Sequence, residues 1–317
     1  MLPGKECAIC GTREADLQFR KFGYPVVRCR ACGLTYLDHH MDATDAAHFY
    51  SLSYFSGGSD RRGYFDYVGE RRNIRASFRR KLAGISRFKA PGTLLDVGCA
   101  AGFFMQEAAA AGWEVFGQEI SEYAGGIARA EFGDRVFVGG LETVRLRPQS
   151  LDLVTMWDLI EHLDDPRGTL LAVREWLKPD GLLVLCTGDV ESWPARLQGR
   201  HSRIYNPPQH LNYFSARTLA RLLEASGFGV TATARDTKTV SLAYVSYVLA
   251  CLNPNPATSW LHRTIRRSGF GDRGLSVPLP DNLLVYARCA SVSPRSRAPV
   301  LPSAVRASSP ETAAAAP

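Results

Sequence analysis

From Thr93 onward the chain alternates short apolar runs with longer stretches of helical period, the pattern of strands joined by crossover helices. TLLDVG, starting at Thr93, is apolar in nearly every position and reads as a buried strand. FFMQEAAAAG has helical spacing and stops at Gly112. WEVFGQEI is a second strand, and Ser121 stands where the next helix needs an N-cap. RVFVG is a third strand and SLDLVTMWD a fourth, with Leu151, Leu153 and Val154 in its apolar positions. Asp165-Pro166 opens a helix, with proline at its favoured first position, and KPDG is expected to close it. LLVLCTG is the fifth strand. A long loop over 188–214 follows, then a helix capped by Ser215 and running to Ala225. GVTATA is a sixth strand, and NLLVYARC, ending at Cys289, reads as a last edge strand. The expected fold is α/β, with a seven-stranded, mostly parallel sheet and helices on both faces.

The rest of the chain divides by composition. Residues 1–38 hold paired cysteines and β-prone aromatic segments, and predict a small unit of their own. Residues 39–90 read as a helical lid or linker rich in aromatics, with Phe49, Tyr50, Tyr54, Phe55, Tyr64, Phe65 and Tyr67. Residues 91–290 form the main domain. Residues 291–317 are rich in Ser, Pro and Ala and predict a disordered tail. The chain has 317 residues, 45% of them hydrophobic, enough for one full α/β domain and an appendage.

No apolar run reaches the roughly 20 residues of a membrane span. The opening MLPGKECAIC lacks the apolar core of a secretory signal, so a cytoplasmic setting is expected. VSLAYVSYVLACL, from Val240 to Leu252, reads as a core or dimer helix. The alternative places it on the inner membrane face, with Arg263, Arg266 and Arg267 near anionic headgroups. The net charge of +7 favours anionic partners. Much of it crowds into Arg71, Arg72, Arg75, Arg79, Arg80, Lys81, Arg87 and Lys89, which reads either as a solvated helix face or as a site for an acidic group.

Cys7-x2-Cys10 and Cys29-x2-Cys32 place two thiolates on each of two tight turns. Four sulfur ligands suit tetrahedral Zn²⁺, and a closed set of four leaves no place for a reactive water, so the metal is expected to be structural. Gly11 and Gly33 follow the second cysteine of each pair, where such a turn needs positive φ. Cys99, Cys186, Cys251 and Cys289 stand singly in apolar surroundings, which suits a reducing compartment.

The turn Asp96-Val97-Gly98-Cys99-Ala100-Ala101-Gly102 leads from the first main-domain strand into a helix. Glycines there admit a ligand close to backbone N–H groups at a helix start. The dinucleotide pattern GxGxxG fails, because the chain reads Gly98-x-Ala100-x-x-Phe103. The turn resembles the DxGxGxG loop of class I S-adenosylmethionine-dependent methyltransferases, with Ala100 in place of the middle glycine. WDLIEHLDDP, from Trp157 to Pro166, resembles a stretch shared by a large methyltransferase group that includes ubiquinone-type O-methyltransferases. PPQHLNYFS, from Pro207 to Ser215, resembles one found in methyltransferases of sugar, glycan and natural-product pathways, some of which also carry a four-cysteine zinc ribbon. The resemblance covers about residues 5–290 and implies a Rossmann-like fold.

Glu119, at the end of the second strand, can accept both ribose hydroxyls. The resemblance further implies Ile120 beside it, Leu141 and Glu142 along the adenine, and Met156, Trp157 and Asp158 along the methionine part. An oxygen or carbon acceptor must lose a proton, so a base is needed, and His210 and His162 are the candidates in that order. Orienting a loop through a backbone hydrogen bond is the plainer role for each. His201, Tyr205 and Tyr213 are weaker candidates. Asn206-Pro207-Pro208-Gln209 resembles the NPPY box of amine-methylating enzymes but stands after the wrong strand and lacks the stacking aromatic. The leading expectation is O- or C-methylation of a small molecule or a sugar or glycan. An RNA methyltransferase using ribbon and basic helix, and a catalytically silent binding protein, are the alternatives.

Overall fold

In the computed structural model, residues 4–51, 67–252 and 255–290 are described. The expected tail over 291–317 lies outside them, as do Tyr54, Phe55, Tyr64 and Phe65 of the aromatic segment.

Seven strands form one sheet: β4 Thr93–Val97, β5 Glu114–Glu119, β6 Val136–Val138, β7 Leu151–Trp157, β8 Leu177–Gly188, β10 Phe228–Ser241 and β11 Gly274–Cys289. Their order is β10-β11-β8-β7-β4-β5-β6. The five strands β8, β7, β4, β5 and β6 are parallel, and β11 runs antiparallel to both neighbours. The last strand is therefore inserted between β8 and β10 rather than at the edge. Its apolar run is buried on both faces, as an interior strand requires. KPDG differs from expectation too: the preceding helix ends at Trp176 and these residues already belong to β8.

Alternation along the parallel strands builds two apolar layers. Leu95, Val97, Val154 and Leu183 face α5 Pro166–Trp176 and α7 Ala216–Ala225. Leu94, Leu153, Leu182 and Val184 face α2 Arg71–Ile85 and α3 Phe103–Ala110. Ser121 caps α4 Glu122–Phe132, and Ser215 forms a full capping box on α7. Between β10 and β11 lie α8 Leu242–Leu252 and α9 Pro256–Arg267, and no helix among the described residues is long and apolar enough to cross a membrane.

A second sheet joins β1 Ala15–Lys21, β2 Tyr24–Cys29, β3 Thr35–Leu37 and β9 Asn212–Tyr213. Its fourth strand comes from the segment expected to be loop, which also contains the short helix α6 Trp193–Gln198. The apolar layer under α7 runs on without a break into Cys7, Ile9, Leu34 and Tyr36. Ahead of α2, α1 Ala43–Phe49 is capped by Asp42.

Part of the basic stretch is used within the molecule. Arg75 and Arg79 pair with Glu107, Lys81 with buried Asp236 at 2.9 Å, and Lys89 with Asp152 and Asp180. Arg80 bonds Thr239 and Ser276 across to the long hairpin. Arg71 and Arg72 at the start of α2 remain exposed, so the helix presents a partly solvated face while Arg75, Arg79 and Lys81 are used in ion pairs.

Candidate active site

The strand order turns at β4, where β5 leads one way and β7 the other, and ligands of open α/β sheets sit outside the carboxyl ends at such a point. Asp96, Gly98, Ala100 and Gly102 occupy that end of β4. Gly98, Ala100 and Gly102 all have positive φ, at 72°, 47° and 77°. Alanine resists this region because its Cβ crowds the backbone, so Ala100 is held there by its surroundings. The holder is Glu119: one carboxylate oxygen accepts from the Ala100 N–H and the other from the Ser121 N–H, both at 2.8 Å. A carboxylate has about four acceptor positions, so room remains for hydroxyl donors.

Asp96 is buried, and Thr155 Oγ1 donates to its Oδ1 at 2.6 Å, whereas nothing among the described residues bonds Oδ2. Burial pushes the Asp96 carboxyl up to about 8, with nearby Glu119 adding to the effect. Burial raises Glu119 also, against its backbone donors. Two desolvated acids beside a glycine-lined helix start suit a ligand that brings donors and positive charge. S-adenosylmethionine brings ribose hydroxyls, an ammonium and a sulfonium.

Ile120 follows Glu119 directly, and Leu141 and Glu142 form a helical turn after β6, Glu142 being exposed. Trp157 ends β7, but its ring packs against Phe104 at 4.9 Å and lies under the Lys81 ammonium. It closes the α2–α3 side rather than standing free. Its neighbour Asp158 turns the chain at φ 49°. Lys238 and Asn282, from the antiparallel strands, bond the two carboxylate oxygens of Asp158 at 2.5 and 3.2 Å. Burial opposes that charge, but Lys238 and Lys81 outweigh it and keep the carboxyl well below its usual range.

His162 and His210 are brought together, their rings perpendicular at 4.7 Å. Nδ1 of His210 lies 2.7 Å from the Ile204 carbonyl, and Nδ1 of His162 lies 2.9 Å from the Gln209 carbonyl. A carbonyl only accepts, so Nδ1 carries the proton in each ring and Nε2 keeps its lone pair. Tyr50 reaches His162 Nδ1 as well, at 2.8 Å. Burial brings His162 down to about 4; burial, and then His162 itself, bring His210 down to about 3. Both are neutral near pH 7. Buried Glu161 accepts from Thr187 at 2.8 Å and is pushed up to about 8 by burial, helped by Asp158. One ligand atom from each of Glu161, His162 and His210 lies within 4.8 Å of the others, close enough to share a cation.

His201 is exposed and does not join the pair. Tyr205 packs edge to face at 4.8 Å on Tyr213 of β9. Glu161, Lys238 and Asn282 are not site candidates in the sequence, and Tyr50 stands there only among the aromatics of the 39–90 segment. Glu161 adjoins His162 and had a local signal. The others arrive from segments 80 or more residues away in the chain and had none.

The four cysteines of the paired turns converge. Cys7 and Cys32 sulfurs are 3.3 Å apart, Cys10 and Cys29 sulfurs 3.5 Å, and all four lie within 4.8 Å of one another. Gly11 and Gly33 have φ of 71° and 80°, and their N–H groups bond back to the Cys7 and Cys29 carbonyls. This donor set fits a tetrahedral metal such as zinc.

The profile of a methyltransferase-domain family matches residues 68–233, which contain the turn, Glu119 and both histidines. The chain belongs to this methyltransferase family. S-adenosylmethionine is the methyl donor of these class I enzymes. The ubiquinone biosynthesis O-methyltransferase of Aromatoleum aromaticum is 33% identical over 100 residues, 30% of this chain and 43% of that protein. The one from Idiomarina loihiensis is 29% identical over 145 residues, 42% of this chain and 60% of that protein. The chain spans about half the length of the curated relatives it matches. A solved S-adenosylmethionine-dependent methyltransferase from Archaeoglobus fulgidus aligns at TM-score 0.45 and 24% identity, covering 72% of this chain and 95% of that one.

Proposed function

We propose that this methyltransferase moves the methyl group of S-adenosylmethionine to a hydroxyl of a small-molecule acceptor. The observation that carries the reading is the pair of neutral imidazoles at the carboxyl end of the sheet, each with Nδ1 tied to a carbonyl. Asp96, Gly98, Ala100, Gly102 and Glu119 hold the donor, with Ile120, Leu141, Glu142 and Trp157 around it. The sulfonium already activates the methyl carbon, so the protein's share is alignment and removal of the acceptor proton. His210 takes that proton, and His162 fixes the ring beside it. The names of the ubiquinone O-methyltransferase relatives favour oxygen over carbon as the acceptor atom. A sugar hydroxyl fits the same chemistry.

Cys7, Cys10, Cys29 and Cys32 hold a structural zinc ion in this reading. The RNA alternative loses part of its basic helix, because Arg75, Arg79 and Lys81 of α2 pair with Glu107 and Asp236. Incubation with methyl-labelled S-adenosylmethionine and a panel of catechols, hydroxyquinols, sugars and RNA is the test. Label entering a hydroxyl compound is expected; label entering only RNA would overturn the reading.

A further inference from the structure

The ribbon and the histidine pair are joined at two points. Lys5, two residues before the first cysteine, is 3% exposed and its ammonium meets Asp164 Oδ1 at 2.7 Å. Asp164 lies two residues past His162. The Lys5 backbone is itself held, its N–H by Asp38 at 2.9 Å and its carbonyl by the Tyr36 hydroxyl at 3.4 Å. The second point is β9, which begins two residues after His210. It pairs with β3, Tyr36 opposite Asn212, and the Leu37 N–H bonds the Leu211 carbonyl at 2.9 Å. Within the main domain the two histidine segments are then tied to each other. The Leu211 N–H bonds the Glu161 carbonyl at 2.8 Å, and the Asn212 amide bonds the Leu163 carbonyl at 2.7 Å.

We propose that the four-cysteine ribbon is a positioning element for the histidine pair, acting through the Lys5–Asp164 ion pair and the β3–β9 strand pairing. A two-residue strand has too few ladder bonds to keep its register alone, and the turn at Ile160–His162 is a single helical turn. Neither segment carries enough local structure to fix an imidazole to within hydrogen-bond tolerance. The ribbon supplies the missing constraint, and its own fold depends on the cysteine cluster, because β1–β3 alone enclose little apolar core. Metal occupancy is thereby coupled to the geometry of His162 and His210. The inference uses the proposed function only for its catalytic consequence; the mechanical coupling stands without it.

Lys5→Met keeps the side-chain length and removes the ion pair without touching the cysteines. Amide exchange, histidine ¹⁵N signals and binding of S-adenosylhomocysteine are measured on the full chain, before and after metal is stripped with a chelator. Exchange over 159–165 and 206–214 is expected to speed up about tenfold or more in the variant and in stripped protein, while β4 and β5 keep their protection. The histidine signals should then titrate nearer their ordinary value as water reaches the rings, and S-adenosylhomocysteine affinity should hold within about twofold. A purely stabilising ribbon would raise exchange evenly across both sheets and leave the titration alone, and that result overturns the proposal. Wild-type exchange at both segments in Lys5→Met, or in metal-stripped protein, overturns it too. Should Lys5→Met fail to fold, Asp164→Asn decides by the same readouts. Absence of bound metal would refute the zinc assignment alone, leaving the Lys5 comparison to judge the coupling.

Discussion

The imidazoles of His162 and His210 meet edge to face at 4.7 Å, although the residues are 48 positions apart and lie on different loops. Each ring spends Nδ1 on a carbonyl of the 204–209 segment, so one stretch of backbone orients both. His210→Ala is expected to lower turnover by about a hundredfold or more with donor affinity unchanged, the usual weight of a general base. Raising the pH should recover part of the loss, as hydroxide or an ionised acceptor replaces the base. Steady-state kinetics on the first acceptor found will decide, and wild-type turnover in the variant would move the base to His162.

The donor turn makes a prediction in affinity. Glu119 holds Ala100 and Ser121 through its two oxygens and offers its remaining acceptor positions to the ribose. Glu119→Ala should weaken S-adenosylhomocysteine by ten- to a hundredfold, since bonds to a charged acceptor contribute about 1.5–3 kcal/mol. A Cβ at Gly98 would stand 3.0 Å from Leu159 at φ 72°, so Gly98→Val should lose binding as well. Ala100→Gly relieves the positive φ and should bind at least as well as wild type. Calorimetry in which Glu119→Ala and Gly98→Val both match wild type would place the donor elsewhere.

How far these features could be read from the chain depended on how local they are. The central strands, the caps at Ser121, Asp165 and Ser215, and the cysteine cluster rest on residues within a few positions of one another. The insertion of β11 between β8 and β10 was not visible, because an interior antiparallel strand and an edge strand have similar apolar runs. The strand after His210 was hidden for another reason: two residues carry no periodicity, and Asn212–Tyr213 is a strand only because β3 stands beside it. Lys238 and Asn282 reach Asp158 across 80 and 124 residues, a pairing that only the sheet order creates.

Stability should respond to pH from both sides. His162 and His210 are depressed to about 4 and 3, below the ordinary histidine value of about 6.5. The unfolded chain binds their protons first, so this contribution is lost as the pH falls from about 6.5 toward 3. Asp96 is raised to about 8, so the folded state holds its proton more tightly, and stability from this group is lost as the pH rises from about 4 to 8. Asp96→Asn cannot ionise. Without ligand, its melting temperature should gain on wild type steadily between pH 5 and 8. A constant gap across that range would show that Asp96 is not titrating there.

One zinc ion per chain is the expected metal content. Replacing Cys7 and Cys29 with serine breaks one ligand in each pair and should abolish it, because a structural site needs all four thiolates. Elemental analysis of purified protein gives the count directly. Metal content equal to wild type in the double variant is incompatible with the assignment.

The buried pair between Lys81 and Asp236 offers a test of how the long hairpin is docked. Lys81 comes from α2 and Asp236 from β10, and their side chains are 5% and 2% exposed. Cys186 Sγ also points at Asp236, and Lys81 sits over the Trp157 ring, so the pair ties α2, β7, β8 and β10 at one place. Removing one charge leaves the other buried without its nearest counter-ion. Asp236→Ala should therefore cost about 3–5 kcal/mol, while replacing both partners with apolar residues costs far less. Denaturant titration of Asp236→Ala, Lys81→Met and the double variant measures this. The double variant should recover most of the loss seen in Asp236→Ala. Strictly additive losses would mean that the two charges do not depend on each other.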